Sequence, residues 1–522
     1  MQRVNENRDP PNPGPAISRA DGITESERYL KKLCDRTFLS LWSYPRVYRD
    51  QKGSSKGDGK ELCDLLVVFE NHVIIFSDKD CAFPDSGDLA KDWSRWFRRA
   101  VVKSADQIRG AERWIKSHPD RLFVDPACER KFPIDLPAPD EAVFHRIVVA
   151  HDSAHRCRQV FGGGSGSLMI STSITGTAHY EASPRGIQPF TIGDLDPDKG
   201  YVHVLDDTTL DIVLSTLDTI TDFVEYLTKK ETFVRSGRLI GAAGEEDLLA
   251  FYLSDIDENE QHAFVVPPDI DALFVSEGYS EWFARHPQRR AQLEANEVSY
   301  VWDALIEQFS KHIIDGTQYV RSHVGINSNE RVIRLLARES RTRRRMLATG
   351  LLEVVGEVLP EWGRRSRHFI PSRPGDPYYV FLLLWRPESV SYEDYREVRR
   401  KLLQAYCMVL KVLYPEAEDI VGIATEDRTA VTRSEDAVYL DARQWTDEDQ
   451  SEALSLQEDL DILREYKRFE TRVQEYPEIH TQPRDDPHRT ARNMKGRDRN
   501  SPCPCGSGKK FKRCCGSETL KS

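Results

Sequence analysis

Four cysteines near the C-terminus have the spacing of a metal site. Cys503 and Cys505 stand one residue apart, and Cys514 and Cys515 follow as an adjacent pair after eight intervening residues. Four thiolates suit the tetrahedral coordination of zinc, and the glycine-containing turn between the pairs would bring them together. So short a segment has almost no core of its own. Zinc would therefore have to supply its folding free energy, on the order of 10 kcal/mol.

This segment, residues 501–517, resembles the SEC-C motif. Both cysteine pairs, the GSG turn and the KKFKRC stretch of that family are present, and Cys515 stands where many members have histidine. The resemblance implies a zinc-binding tail that acts as a binding module for a protein or ribosomal partner.

The tail is also the one strongly basic region of the sequence. Residues 484–513 contain ten Lys or Arg against three Asp, a net charge of +7, whereas the whole chain carries −12 and the remainder therefore about −19. Such a segment would suit an anionic partner, either nucleic acid or an acidic protein face. A merely solvating basic linker is the alternative.

A second group of residues combines carboxylates with a lysine. Glu61 and Asp64 precede the first strand of a predicted β-hairpin, and Asp78, Lys79 and Asp80 end its second strand. The start of one hairpin strand faces the end of the next, so these side chains are expected to converge at one edge of a sheet. Carboxylates there would hold magnesium, and the lysine would orient water and stabilise charge on a phosphate. This group supports metal-assisted hydrolysis of a phosphodiester bond.

Over residues 22–230 the arrangement resembles the PD-(D/E)XK nuclease superfamily, whose core is a helix, a meander of strands, a helix and further strands. The resemblance implies a restriction-endonuclease-like mixed sheet and a magnesium- or manganese-dependent endonuclease, acting on DNA more than on RNA. Asp64 and Asp78 would then be the metal ligands beside Lys79. Glu27 would be an accessory acid on the first helix, and Gln107 a polar residue facing the site.

One position departs from that pattern. The family acid stands two residues before the lysine, where this sequence has Ser77, and Asp78 is adjacent instead. Because side chains alternate along a strand, Asp78 is expected to face away from Ser77 and Lys79. Either a β-bulge rotates Asp78 inward, or Asp78 and Asp80 form the acidic pair, or the fold is an inactive relative retained for binding.

The elements that position these residues predict a multidomain α/β protein. Thr24 and Glu27 have the spacing of a capping box before a first helix, and β-branched runs at 65–69 and 73–76 predict the hairpin. A helix is predicted over 93–115, strands over 145–150 and 201–205, and a last helix over 452–473. The predicted units are a disordered arm (1–21), an α/β domain (22–255), a mainly helical region (256–364), a second α/β unit (365–475), a basic linker (476–500) and the zinc motif (501–522).

Composition narrows the class of protein. The 522 residues are 39% hydrophobic, enough for real cores, but the longest apolar run, residues 378–385, is far shorter than the roughly 20 residues of a membrane span. The N-terminus is polar and proline-rich, without the apolar stretch of a secretory signal. A cytoplasmic protein without a membrane partner is therefore expected.

Two further groups of side chains were ambiguous. Seven arginines between 331 and 345 predict a basic helix, which would either follow a phosphate backbone or form a solvated face. His145, His151 and His155 match no standard metal spacing, which favours ordinary surface or core histidines. Taken together, the sequence predicts a metal-dependent nuclease with a recruiting zinc tail, and restriction of foreign nucleic acid would fit by analogy with the fold. The alternative is a non-catalytic adaptor that binds a protein or the ribosome through its tail.

Overall fold

The structure is a computed structural model. It describes residues 16–17, 19–51, 59–181, 186–258, 261–317, 326–371, 373–427, 429–430, 433–469, 473–477 and 510, and for residues 326–329 the backbone alone.

Helices make up much of the described chain. They are α1 (Glu25–Phe38), α2 (Leu89–Phe97), α3 (Lys103–Ser117), α4 (Ala154–Phe161), α5 (Thr209–Thr216), α6 (Ile220–Arg235), α7 (Glu245–Ser254), α8 (Tyr279–Arg285), α9 (Pro287–Asn296), α10 (Tyr300–Ile314), α11 (Ile326–Ala337), α12 (Arg341–Val355), α13 (Tyr392–Leu413) and α14 (Asp447–Asp459). A π-helical turn, Arg98–Val102, joins α2 to α3.

Strands alternate with these helices along the chain. They are β1 (Ser43–Asp50), β2 (Gly59–Phe69), β3 (His72–Lys79), β4 (Leu122–Phe123), β5 (Val143–Ala150), β6 (Met169–Thr175), β7 (Thr191–Asp194), β8 (Val202–Asp206), β9 (Leu239–Ala242), β10 (Leu273–Val275), β11 (Arg364–Phe369), β12 (Tyr378–Leu384), β13 (Asp419–Glu426) and β14 (Asp436–Asp441). The protein is thus a multidomain α/β protein, as predicted.

The first sheet is mixed, with the order β4-β1-β2-β3-β5-β8. β1, β2 and β3 form an antiparallel meander, whereas β3, β5 and β8 run parallel. The carboxyl ends of these three parallel strands therefore meet at one edge. In open α/β sheets ligands bind at such an edge.

Strand β3 shows how alternate residues serve the two layers of this sheet. Ile74 and Phe76 pack in the core that includes Leu30 and Leu33 of α1, and Val73 and Ile75 pack in the core that includes the tryptophans of α2. With side chains alternating in this way, α1 covers one face and α2 with α3 cover the other. The predicted helix over 93–115 is confirmed as part of α2 and α3.

Two sequence-based boundaries near the hairpin and the tail were wrong. β2 begins at Gly59, six residues before the predicted strand, so Glu61 and Asp64 lie inside it. The backbone of this polar stretch pairs with β1. Because the strand was predicted from its apolar residues, this pairing could not be seen in the sequence. α14 ends at Asp459 instead of extending to 473, and Asp461 then adopts a left-handed φ of 50° that a continuing helix does not allow.

Two smaller sheets follow the first. β10-β9-β6-β7 form a four-stranded sheet, in which β10 lies beyond residue 255, where the sequence placed a boundary. β11-β12-β13-β14 form the other, with β12 and β13 parallel and connected by α13. One hydrophobic core continues from the first sheet through the middle helices to β12 and β13.

The predicted basic helix is two helices, since α11 ends at Ala337 and α12 begins at Arg341, and its arginines divide between the surface and the core. Arg341 and Arg344, at the start of α12, are buried and both bind Asp303 of α10, each at 2.8 Å. Arg341 also contacts Asp218 at 2.9 Å. Arg341 donates to four acceptors and Arg344 to three, so these two side chains hold helices together and are not available to a phosphate backbone.

No helix within the described residues is long and apolar enough to cross a membrane.

Candidate carboxylate site at the edge of the first sheet

Asp64 lies at the centre of the candidate site that the carboxylates and the lysine of the hairpin form. Its Oδ2 accepts a hydrogen bond of 2.6 Å from the backbone nitrogen of Asp78, across the β2–β3 hairpin. The carboxylate is 9% exposed. Burial, opposed by that hydrogen bond, raises the pKa of Asp64 to about 7. The hairpin therefore places Asp64 beside the end of β3, as the sequence predicted for this edge.

Charged groups from four elements lie around Asp64. Glu61 lies on the same strand and Lys79 ends β3, and both act electrostatically on Asp64. Burial raises the pKa of Glu61, and Glu27 of α1 raises it further, whereas Arg46 lowers it from 3.7 Å away. This part of the sheet edge thus contains three carboxylates, those of Asp64, Glu61 and Glu27, together with Lys79 and Arg46.

The carboxylate of Asp78 makes different contacts. The pairing of β3 with β5 is regular from His72 to Lys79, so no bulge turns Asp78 towards Ser77 and Lys79. The bulge that the sequence allowed is therefore absent from this strand. Asp78 faces the layer of α1: burial raises the pKa of Cys34 on that helix, and the charges of Asp35 and Asp78 raise it further. The backbone nitrogen of Asp78 donates to Asp64, and the negative charge of Asp78 adds to the raised pKa of Asp64.

His151 bridges two carboxylates at the ends of the parallel strands. Its Nε2 lies 2.5 Å from Oδ1 of Asp78, and its Nδ1 lies 2.6 Å from Oδ1 of Asp207. Burial alone would lower the pKa of His151, but these two hydrogen bonds outweigh burial and raise it to about 10. The ring is therefore a cation at neutral pH.

The remaining oxygen of Asp78 is unusual. Oδ2 is buried and has no hydrogen-bond partner within the described residues. A buried carboxylate oxygen normally has a partner, because leaving it unsatisfied costs about 1–3 kcal/mol. Oxygen-seeking cations are among the groups that satisfy such an atom.

Of the two other residues predicted for the site, Asp80 lies near this edge and Gln107 lies apart from it. Asp80 is exposed. Burial raises the pKa of Asp152, and the charges of Asp80 and Asp207 raise it further, so Asp80 and Asp152 are close. Gln107 is half-buried on α3 and makes no hydrogen bond to Asp64, Asp78 or Asp80. The structure brings together the hairpin residues and Glu27, but it does not join Gln107 to them.

Among the residues with described positions, no three His, Cys, Asp or Glu side chains are grouped so as to hold a metal. Magnesium, however, usually keeps several waters and takes only one or two carboxylates plus substrate phosphate oxygens. Glu61 and Asp64 provide that number of carboxylates. These two carboxylates therefore suit magnesium or manganese, which take further ligands from water and substrate. They do not suit a metal whose ligands all come from the protein.

The sequence reasoning missed Asp207 and gave His151 no role in the site. A usable signal was present, because each parallel strand is followed by charged residues: β3 ends at Lys79 before Asp80, β5 precedes His151, and β8 precedes Asp207. Parallel strands place such residues at one edge. The pairing of β5 with β8 could not be read from the sequence.

The four tail cysteines, Cys503, Cys505, Cys514 and Cys515, lie outside the described residues. A family model described as the SEC-C motif matches residues 499–517. The resemblance drawn from the cysteine spacing is confirmed for this segment.

Curated proteins share only short stretches with this chain. The protein translocase subunit SecA of Trichlorobacter lovleyi is 40% identical over 60 residues, 12% of this chain and 7% of SecA. SecA of Geobacter metallireducens is 69% identical over 26 residues, 5% of this chain and 3% of SecA. A UPF0225 protein of Photorhabdus laumondii is 89% identical over 18 residues, 3% of this chain and 11% of its own length.

The chain thus spans about a tenth or less of the length of these relatives, and the similarity concerns the motif. No solved structure matches this protein.

Proposed function

We propose that this protein is a metal-dependent nuclease that hydrolyses phosphodiester bonds, of DNA in preference to RNA, at the Asp64 edge of the first sheet. The observation that carries the proposal is the buried Asp64 carboxylate, hydrogen-bonded to the Asp78 backbone and flanked by Glu61 and Lys79. Carboxylates beside a lysine at a sheet edge suit cleavage of a phosphodiester.

The order of elements supports the same proposal. α1, the β1–β2–β3 meander, α3 and β5 follow one another as helix, strands, helix and strand, with β5 parallel to β3. This is the order of the PD-(D/E)XK core that the hairpin residues resemble. Ser77 at the usual acidic position and the buried Asp78 carboxylate, which faces the layer of α1, are the differences from that core.

The residues can be assigned roles in this reaction. Asp64 and Glu61 would hold magnesium or manganese, which when bound supplies Lewis-acid stabilisation of phosphate charge. Lys79 would bind a phosphate oxygen and orient the attacking water. Glu27 keeps negative charge next to Glu61, which favours a cation there. The carboxylate of Asp78 stays on its His151 bridge and is a positioning group in this assignment.

Cleavage of plasmid, linear duplex and single-stranded DNA, and of RNA, in magnesium or manganese tests the proposal. We expect Asp64→Ala and Lys79→Ala to abolish cleavage, because they remove a metal ligand and the phosphate-binding cation. Asp120→Ala removes an exposed carboxylate after α3 and is the matched control, expected to cleave like wild type. Equal cleavage by all three variants would exclude this site.

A second candidate function is a non-catalytic adaptor, and the comparisons favour it specifically. The similarity found in unrelated proteins is confined to the SEC-C segment, as expected of a transferable binding module. In this case the protein cleaves no nucleic acid under any metal, and a stable complex with a protein or ribosomal partner is lost on Cys514→Ser.

A further inference from the structure

The segment 473–477 is anchored at the end of α7. The Tyr476 hydroxyl donates a hydrogen bond to the carbonyl oxygen of Leu253, in the last turn of that helix. Glu475 extends the anchor by accepting hydrogen bonds from side chains of α9 and α12. Burial raises the pKa of Tyr476, and the charges of Glu475 and Asp255 raise it further. The segment is therefore held next to Asp255, which follows α7.

The surface beside this anchor is acidic. Residues 255–271 contain six Asp or Glu and no Lys or Arg. Four of these carboxylates are exposed and form no ion pair with any described residue, namely Asp255, Glu258, Asp269 and Asp271. Three exposed apolar side chains lie among them in the sequence, namely Ile256, Val265 and Ile270. We call these seven residues the acidic face.

The two halves of the acidic face lie at the same end of the second sheet. β9 and β10 run parallel and α7 connects them, so α7 ends where both strands begin. Asp255 and Glu258 follow α7, and Asp269 and Asp271 precede β10. The exposed carboxylates and the anchor are therefore neighbours in the fold.

Two cations border the acidic face, and both have other partners. Lys229 of α6 lies 2.6 Å from Glu225 and 3.9 Å from Asp257. The guanidinium of Arg238 donates to the carbonyl oxygen of Ile270 at 3.0 Å. Glu225, Asp257 and the four exposed carboxylates are six anions against these two cations, a net charge of −4.

Two more cations hold the anchor itself. The charge of Arg289 acts on Tyr476, and Arg345 of α12 donates to the backbone carbonyl of Gln474. With Glu475 counted as well, seven carboxylates stand against four cations, a net charge of −3. The acidic face therefore stays negative when every described charge at the anchor is included.

The chain that continues from this anchor is the most basic part of the sequence. Residues 484–513 carry a net charge of +7, whereas the whole chain carries −12. Arg484 is seven residues beyond Pro477, a stretch that spans at most about 25 Å when fully extended. A segment joined to the protein beside an oppositely charged surface has a high effective concentration there, so even weak ion pairs populate a bound state.

We infer that residues 484–513 dock on the acidic face of the same chain, where their Lys and Arg side chains pair with its four exposed carboxylates. The apolar side chains of the face suit the aliphatic stems of Lys and Arg, whose charged ends then reach the carboxylates. An anionic partner of the tail must displace the acidic face before it binds. The inference goes beyond the proposed function, because docking requires neither a metal at Asp64 nor cleavage.

Carbodiimide crosslinking of the full-length protein, purified without chelator, tests this docking, because the reagent joins a lysine amine to a carboxylate in contact with it. A mixture of unlabelled and 15N-labelled protein distinguishes links within one chain from links between two chains. We expect links within single chains from the tail lysines to the acidic face. These lysines are Lys495, Lys509, Lys510 and Lys512. Raising the salt concentration from about 50 mM to about 500 mM should remove the links, since salt screens exposed ion pairs.

Trypsin cleavage after Arg489 and Arg492 is a second measurement, because a docked tail is protected. The quadruple variant of the acidic face is Asp255→Asn, Glu258→Gln, Asp269→Asn and Asp271→Asn. We expect its tail to be cleaved at least threefold faster than that of wild type at about 50 mM salt, and at the same rate at about 500 mM.

The matched control variant removes four exposed carboxylates of the first α/β unit. Its substitutions are Asp106→Asn, Asp120→Asn, Asp140→Asn and Glu141→Gln. The net charge of the chain changes by the same amount as in the acidic-face variant. The tail of this control should be cleaved like that of wild type.

Four results would overturn the inference. One is wild-type protein whose tail lysines link to no carboxylate of the acidic face. Another is links found only between differently labelled chains, which would mean that a second copy supplies the tail. A third is equal tail cleavage in the acidic-face variant and wild type. The fourth is equally fast cleavage in the control variant, which would indicate a general effect of charge.

Discussion

The backbone nitrogen of Asp78 donates a 2.6 Å hydrogen bond to Oδ2 of Asp64, although the two carboxylates face different layers of the sheet. The hairpin thereby uses Asp64 both as a link between β2 and β3 and as a charged group at the sheet edge. A carboxylate with these two tasks is buried at a cost to stability, and this cost can be measured.

Asp64→Asn is expected to stabilise the metal-free protein at pH 8 by about 4 kcal/mol, since one pKa unit corresponds to about 1.4 kcal/mol. The folded pKa of about 7 lies above the unfolded value of about 4, so ionisation favours the unfolded chain. The penalty develops as the pH rises from about 4 to about 7 and is complete above that. Denaturant unfolding in EDTA at pH 4 and pH 8 should show the difference at pH 8 and little at pH 4. Asp120→Asn, at an exposed position, should change neither value, and a destabilised Asp64→Asn protein would contradict the burial argument.

Arg344→Leu should lower the free energy of unfolding by about 3–5 kcal/mol, because Oδ1 of Asp303 and two buried carbonyl groups lose the guanidinium that they bind. The comparison is Arg331→Leu, whose side chain is 48% exposed and lies 3.2 Å from Asp441. A surface ion pair of this kind contributes less than about 1 kcal/mol. Similar losses in both variants, measured by urea denaturation, would argue against a structural role for the buried arginine.

Glu475 should make stability depend on acidity. Burial opposes its ionisation, but hydrogen bonds from His262, Thr342 and Gln292 outweigh burial and lower its pKa to about 2. The folded pKa is below the unfolded value of about 4.3, so the stabilisation is complete above pH 4.3 and is lost as the pH falls towards 2. Glu475→Gln should lower stability at pH 6 and narrow its difference from wild type at pH 2–3. A constant difference from pH 2 to pH 6 would be inconsistent with this linkage.

Zinc analysis tests the tail. Protein purified without chelator should contain about one zinc ion per chain, and Cys514→Ser should lose most of it, because a four-thiolate site tolerates few missing ligands. Cys81→Ser is the control, since Cys81 follows β3 and is remote in sequence from the motif. Mass spectrometry of the metal content distinguishes them, and zinc retained by Cys514→Ser would refute the ligand assignment.

The fold was predictable where hydrophobic periodicity was strong. α1 begins at Glu25 after Thr24, whose side chain accepts a hydrogen bond from the nitrogen of Glu27, and the apolar runs of β2 and β3 pair as a hairpin. The start of β2 was missed because Lys60 and Glu61 carry no apolar signal and gain their partners from β1. The small sheet of β6, β7, β9 and β10 was missed because its strands are only three to seven residues long and pair across long stretches of the chain.

The sequence predicted the hairpin part of the candidate site but not the part formed by the parallel strands. Hairpin geometry brings Asp64 to the end of β3 from local sequence alone, since the two strands are neighbours in the chain. His151 and Asp207 reach Asp78 only through parallel pairing of β3, β5 and β8, which are separated by tens of residues. Long-range register of this kind leaves no periodic signal in a single sequence.

The bridge formed by His151 has a consequence for charge balance. With its pKa raised to about 10, the His151 imidazolium is an internal counterion for Asp78 and Asp207, and its single positive charge offsets half of their combined negative charge. The bridge therefore reduces the repulsion between the carboxylates at the ends of β3 and β8, and it does so without a metal ion.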